Sequence, residues 1–203
     1  MTTRHISTFG IPGLGVVPYG LHMCHFFPAR EELIDGLVPY FEAGVDNHER
    51  CIWVTSFPLP AQDALSEIAK SKKLRLAVTS GQLRVFDAVE WFGEAGAFDI
   101  EGAIQDWLEE EQSALADGFQ GLRITGNTSF IARENWNHLI EYESKFHDRM
   151  KDRRIIACCN YHREQCGSVE ILEAVRCHHG SLDRTDDHWD LLLEDSHEGV
   201  QNR

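Results

Sequence analysis

The segment from His22 to Phe27 combines imidazoles, a thiol and aromatic rings, residue types that bind metals or small ligands. In an extended chain, His22 and Cys24 point to one side, and Met23 and His25 to the other. A protonated imidazole would lower the pKa of the Cys24 thiol and make it reactive. The alternative is a buried strand whose polar groups bind the backbone. Because the segment precedes a predicted helix, at a strand end where α/β proteins bind ligands, we favour a ligand-binding role.

Cysteine and histidine recur later in the chain, after a predicted apolar strand and after the last predicted helix. Zinc and iron are bound by such side chains, so a metal or redox site is a second hypothesis. Its ligands would come from this set: His22, Cys24, Cys159, His162, Cys166 and His178. The spacing does not repeat a C-x2-C pair, however, and buried cysteines commonly pack as small hydrophobic residues. We therefore predict no metal and no other cofactor.

Polar side chains alternate along a third predicted strand, where Arg123, Thr125 and Asn127 point to one face. An arginine within an apolar strand requires a partner. A carboxylate such as that of Glu143 would make a structural ion pair, and a ligand oxygen would make a binding site. The sequence leaves both interpretations open.

Composition limits the class of protein. The 203 residues, 42% of them hydrophobic, suit one domain. The net charge of −14 repels nucleic-acid phosphates and anionic lipids. No apolar run approaches the roughly 20 residues that cross a bilayer, and no secretion signal is visible. Six cysteines in a chain of this length suggest reduced thiols. We expect a cytoplasmic protein that binds neither nucleic acid nor membranes.

The glycine-rich lead does not match a phosphate-binding loop. The run from Gly13 to Pro18 misses the third small position of the dinucleotide fingerprint, and the chain contains no Gly-Lys-Ser/Thr. No catalytic triad is recognisable either. The sequence therefore predicts that the protein is not an enzyme of the ATP-driven kind.

Strand-like and helix-like segments alternate along the chain, which predicts an α/β fold with a mostly parallel central sheet flanked by helices. The predicted helices cover Glu31 to Ala43, Ala61 to Ala69, Ile100 to Asp117, Trp136 to Met150 and Ser168 to Val175. We predict one domain over residues 1–182. Residues 183–203 are predicted to form an acidic tail, with one short docking helix from Trp189 to Leu193.

Several of these motifs occur together in a known order: His22-x-Cys24-x-Phe26-Phe27, Glu32-Leu33, Gly44 to Glu49, Cys51 to Val54, Gly121 to Gly126, Tyr142-Glu143, Cys159-Asn160-Tyr161 and His178-His179. This order resembles the MEDS family, a sensory domain named after methanogens, methylotrophs and a dichloromethane-responsive regulator. The family is similar in turn to KaiC and RecA-type ATPase domains. The resemblance implies a three-layer KaiC/RecA-like fold in which His22 to Phe27 replaces the phosphate loop.

The resemblance also implies a function: sensing a small one-carbon or hydrocarbon-derived compound in signal transduction or transcription regulation. The implied partners are a histidine kinase, an anti-sigma factor or a regulator, and a homo-oligomer is a further expectation. We predict that the ligand contacts one set of residues: His22, Cys24, His25, Phe26, Phe27, Arg123, Thr125, Asn127, Cys159 and Tyr161. Asn127 occupies a position where the family often has an acidic residue. A function that depends on a negative charge at this position is therefore not expected from the resemblance. A residual nucleotide site is the remaining alternative.

Overall fold

A seven-stranded sheet forms the centre of the protein, in the order β5-β4-β6-β7-β3-β8-β9. The computed structural model describes residues 5–93, 98–185 and 188–193. A separate antiparallel hairpin pairs β1 with β2. The strands are β1 (Ile6–Thr8), β2 (Val16–Pro18), β3 (Leu21–Phe27), β4 (Arg50–Thr55), β5 (Leu83–Asp87), β6 (Leu122–Asn127), β7 (Ile155–His162), β8 (Gly180–Thr185) and β9 (His188–Leu193). All neighbours in the large sheet are parallel except β8 and β9.

Helices cover both faces of this sheet, which confirms the predicted α/β class. They are α1 (Arg30–Asp46), α2 (Ala61–Ile68), α3 (Lys72–Ser80), α4 (Ala88–Phe92), α5 (Ile100–Ala116), α6 (Trp136–Met150) and α7 (Ser168–Arg176). Buried residues of α1, α2 and α3 pack on one face, and those of α4 to α7 pack on the other. We call these the α1 face and the α6 face. Among the described residues, no helix is both long and apolar enough to cross a bilayer.

The segment from His22 to Phe27 is part of strand β3, whose residues are all buried. The sequence placed it at a strand end, but β7 and β8 pair with it on both sides. Only Pro28 and Ala29 separate β3 from helix α1. A loop that wraps a phosphate needs several successive backbone amides, so this connection is too short to form one.

The segment from Trp189 to Leu193 forms a strand, so the predicted docking helix is wrong. Strand β9 runs antiparallel to β8, with Leu182 opposite Leu191. Trp189 is buried, and its ring lies 5.2 Å from that of His25. Leu192, by contrast, is 64% exposed. Pairing with β8 satisfies the backbone of an otherwise exposed sheet edge, which a five-residue helix could not do. Strand β8 also crosses the boundary predicted at residue 182.

Candidate metal centre and adjoining cavity

The ten predicted ligand residues lie on both faces of the sheet, because neighbouring side chains of a strand point in opposite directions. Those on the α6 face are His22, Cys24, Phe26, Cys159 and Tyr161. Those on the α1 face are His25, Phe27, Arg123, Thr125 and Asn127. The alternation predicted for His22 and Cys24 against Met23 and His25 is present. The structure therefore does not bring the ten side chains to one site.

Arg123 is fully buried and pairs with Glu49, not with Glu143. Its Nε donates to Glu49 Oε2 at 2.5 Å. Its other nitrogens donate to the carbonyls of Phe9, Thr8 and Tyr40 and to the Ser7 hydroxyl. These contacts use all five N–H groups of the guanidinium. Arg123 thus ties the N-terminal hairpin to the sheet and has no donor left for a ligand.

The remaining polar residues of the α1 face also bind within the protein. His25 Nδ1 lies 3.1 Å from Asn160 Oδ1, and Asn160 in turn donates to the Thr125 hydroxyl. The Thr125 hydroxyl donates to the Cys158 carbonyl at 2.7 Å. Asn127 donates to the Ser56 and Phe57 carbonyls, so it joins the ends of β4 and β6. His25, Thr125 and Asn127 are therefore held by structural hydrogen bonds within the protein.

Four side chains of metal-binding type meet on the α6 face: His22, Glu143, Cys159 and His178. His22 Nε2 lies 3.2 Å from Cys159 Sγ and 3.3 Å from Glu143 Oε2. Cys159 Sγ is 3.5 Å from the same carboxylate oxygen, and His178 Nε2 is 3.7 Å from it. All four donor atoms lie within 4.8 Å of one another. We call this group the His-Glu-Cys cluster.

The His-Glu-Cys cluster is shielded from water, and its pKa values move accordingly. Burial lowers the pKa of His22 well below its usual range. Burial, followed by the neighbouring His22, lowers the pKa of His178 to about 3. Burial also raises the pKa of Glu143 and that of the Cys159 thiol. Without a bound cation, all four groups are therefore driven towards their uncharged forms.

Hydrogen bonds outside the cluster orient two of its members. The Tyr161 hydroxyl donates to Glu143 Oε1 at 2.9 Å, which leaves Oε2 facing the other three groups. His178 Nδ1 lies 2.7 Å from the Ala174 carbonyl and must carry the proton, since a carbonyl only accepts. The lone pair of His178 is then on Nε2, the atom that faces Glu143.

The cluster contains three of the six metal ligands proposed from the sequence. Cys24 is not a member, and its Sγ lies 3.5 Å from the Gly180 carbonyl. His162 lies between the rings of Phe27 and Phe57. Cys166 is only half-buried and also lies outside the cluster.

Sequence reasoning missed Glu143 as a member of this group. A signal was present, since Glu143 occupies the apolar stripe of α6 with Leu139, Tyr142 and Phe146 at helical spacing. An acidic residue on such a stripe is buried and requires a partner.

Cys24 is completely buried, and burial raises the pKa of its thiol well above the usual range. The lowering expected from neighbouring imidazoles is therefore wrong, because the loss of hydration dominates and His25 points to the other face.

We expect Cys24 not to react with a thiol reagent in the native protein at neutral pH. Of the six cysteines, only Cys166 and Cys177 are partly exposed, so at most two thiols should react rapidly before denaturation. The Cys24→Ser variant should show the same number of rapidly reacting thiols as the wild type in a dithionitrobenzoate titration. Loss of one rapidly reacting thiol in this variant would show that Cys24 is reactive in the native protein and would contradict this prediction.

An apolar cavity adjoins the His-Glu-Cys cluster, between the sheet and helices α5 and α6. Its volume is about 30 Å³. Its walls are largely aromatic and aliphatic, and include Trp107, Phe130, Leu139 and Phe146. Glu143 and Cys159 form part of the same wall. The cavity thus combines an apolar lining with a carboxyl and a thiol.

Comparison with known families shows to which family the chain belongs. The profile of the MEDS family, described as the methanogen/methylotroph, DcmR sensory domain, matches residues 21–179. The chain belongs to the MEDS family. The matched range includes all four members of the His-Glu-Cys cluster in this MEDS domain. No curated protein matches the chain.

Solved structures confirm the fold of this MEDS domain. One similar structure is the crystal structure of a KaiC-like protein from the hyperthermophilic archaeon Pyrococcus horikoshii. The alignment has a TM-score of 0.65 at 12% sequence identity, and it covers 99% of this chain and 92% of that chain. At this identity the likeness shows the KaiC-like fold alone.

Proposed function

We propose that this MEDS domain senses a small, weakly polar molecule, such as a one-carbon or short hydrocarbon-derived compound, that binds in the cavity beside the His-Glu-Cys cluster. Membership of a sensory family supports a sensing role. The observation that carries the choice of ligand is the apolar cavity, because ligand sites are concave and mostly apolar with few polar groups. On the α1 face, the predicted ligand residues His25, Arg123 and Asn127 are instead held by hydrogen bonds within the protein.

The size of the cavity limits the ligand. Its volume of about 30 Å³ leaves room for more than one water-sized group, so it suits a small molecule of only a few heavy atoms. The polar atom of such a molecule would face the carboxyl and thiol wall formed by Glu143 and Cys159. Its carbon atoms would contact the aromatic wall. Short alcohols, aldehydes and halocarbons meet both requirements.

Helix α6 connects the cavity to the protein surface. Leu139, Tyr142, Glu143 and Phe146 of this helix line the cavity. At its first turn, Trp136 donates to Glu173 of α7 at 2.8 Å. We propose that an occupied cavity shifts α6, and that a signalling protein such as a histidine kinase, an anti-sigma factor or a regulator reads the shift.

The test is ligand-dependent melting of the wild type and of Gly126→Ala. Gly126 lines the cavity, and a Cβ atom placed there meets no atom within 4 Å. The alanine methyl group should therefore occupy space that the ligand needs without straining the fold. A ligand at 100 times its dissociation constant stabilises the folded protein by about 2.7 kcal/mol. We expect methanol, formaldehyde or dichloromethane to raise the wild-type melting temperature, and Gly126→Ala to respond much less.

Ala157→Gly is the matched control, since it removes a methyl group from the same cavity wall. It should keep the response to ligand. MgATP should raise no melting temperature, because the two-residue link between β3 and α1 leaves no phosphate loop. Equal responses of the wild type and Gly126→Ala to every compound would place the ligand elsewhere. No response at all would argue against sensing through this cavity.

A further inference from the structure

We propose that the His-Glu-Cys cluster is a zinc site in which His22 Nε2, His178 Nε2, Cys159 Sγ and Glu143 Oε2 bind one Zn²⁺. This inference does not rest on the proposed sensing function. It differs from the metal site considered from the sequence, because it excludes Cys24, His162 and Cys166 and includes a carboxylate.

Four of the six distances between the donor atoms match a tetrahedral zinc site. With zinc bonds of about 2.0–2.2 Å to nitrogen and oxygen and about 2.3 Å to sulfur, tetrahedral geometry separates the donors by about 3.3–3.6 Å. Four of the six separations in the cluster are 3.2, 3.3, 3.5 and 3.7 Å. No separation exceeds 4.8 Å, so the two remaining pairs, which both involve His178, would approach by at most about 1–1.5 Å on binding the ion.

The chemistry of the donors favours zinc over other common cations. Two imidazoles, one thiolate and one carboxylate form a mixed nitrogen, sulfur and oxygen set, whereas calcium and magnesium prefer oxygen alone. Four protein ligands fill a tetrahedral coordination sphere, which is typical of structural zinc sites. The ion would therefore hold structure together and leave no coordination position for a substrate.

Charge balance supports the same assignment. A thiolate and a carboxylate together carry two negative charges, which Zn²⁺ neutralises while both imidazoles stay neutral. Arg123, the buried arginine of the neighbouring strand, lies on the α1 face and is paired with Glu49. It does not compensate a charge on Glu143, so a bound dication would do so where burial otherwise disfavours ionisation.

Two buried ring nitrogens of the cluster residues lack a hydrogen bond. Among the described residues, His22 Nδ1 and His178 Nε2 have no hydrogen-bond partner, and His178 Nε2 is the one that faces Glu143. An unsatisfied buried nitrogen is costly, and a metal bond would remove that cost. The contact of His178 Nδ1 with the Ala174 carbonyl and that of the Tyr161 hydroxyl with Glu143 Oε1 are the outer-shell contacts that orient metal ligands.

The proposed ion would connect distant parts of the fold. His22 lies on β3, Cys159 on β7, Glu143 on α6, and His178 follows α7. Because metal binding is linked to folding, an ion at this point would stabilise the packing of α6 and α7 on the sheet. It would also fix the carboxyl and thiol wall of the cavity.

Cobalt substitution of the full chain tests the site. The protein, purified without a polyhistidine tag, should contain close to one equivalent of zinc. After zinc removal, added Co²⁺ should give the intense visible bands of tetrahedral cobalt and a near-ultraviolet thiolate-to-cobalt band. Cys159→Ser should lose the thiolate band. Cys158→Ser is the matched control, since Cys158 is the adjacent buried cysteine and packs on the α1 face, and it should keep that band.

Zinc below about a tenth of an equivalent, together with no tetrahedral cobalt spectrum in the folded wild type, would overturn the proposal. A thiolate band that persists in Cys159→Ser would also overturn this ligand set. If Cys159→Ser does not fold, the wild-type cobalt spectrum still shows whether the protein binds a metal ion in tetrahedral geometry. Ligand-dependent melting is measured separately, so a failed metal site and a failed sensing function remain distinguishable.

Discussion

Replacing Arg123 with methionine should lower the free energy of unfolding by about 3–5 kcal/mol, because the change leaves the buried Glu49 carboxylate without its cation. The same change removes hydrogen bonds to the carbonyls of Phe9 and Thr8, so the N-terminal hairpin should also loosen. Urea unfolding measures the first effect, and hydrogen exchange of the hairpin amides measures the second.

Arg133→Met is the matched control for this prediction. Arg133 also forms an ion pair, with Glu170, but its side chain is 76% exposed. Its replacement should change the free energy of unfolding by no more than about 0.5 kcal/mol. A stable Arg123→Met protein that no longer responds to ligand would contradict the structural role and return Arg123 to the binding site.

Shortening Leu139 to alanine should cost about 2–5 kcal/mol of stability and should also widen the range of ligands. Leu139 is buried and lines the apolar cavity, so its removal adds space to a void that already exists. Enlarged dry cavities of this kind bind small aromatic molecules. Benzene should therefore raise the melting temperature of Leu139→Ala and leave that of the wild type unchanged.

Leu76→Ala provides the comparison, since Leu76 also lies within a helix but is 58% exposed. It should have a small effect on stability and no response to benzene. If Leu139→Ala were nearly as stable as the wild type and indifferent to benzene, the helices would have collapsed into the space, and the cavity would not be a rigid feature of the fold.

Hydrophobic periodicity was sufficient to predict most of the long elements. The helix from Trp136 to Met150 was predicted to the residue, and the strand predicted from Gly121 to Gly126 differs from β6 by one residue at each end. The pattern failed at β9, because Trp189 to Leu193 is too short for helical and strand periods to be distinguished. Pairing with β8, a tertiary contact, decides its conformation. Helix α3 was missed, although Ser71 caps it and Gly81 ends it in the left-handed region.

The site was less predictable, because membership depends on contacts between distant residues. The sequence correctly separated His22 from His25 by strand alternation, but the predicted ligand set then combined residues from both faces of the sheet. Glu143 was named only as a partner for Arg123, yet Glu49 takes that position. Which carboxylate meets the arginine depends on where α6 packs, and spacing along the chain does not contain that information.

The hydrogen bonds of Arg123 and Asn127 on the α1 face have a mechanical consequence. Arg123 joins the N-terminal hairpin to the sheet through hydrogen bonds to Ser7, Thr8 and Phe9, and Asn127 joins the ends of two strands. That side of the sheet therefore behaves as a stiff base. The apolar cavity lies on the other side, against α6. A molecule entering it would therefore displace α6 more readily than the hydrogen-bonded side of the sheet, and the displacement would reach the helical surface.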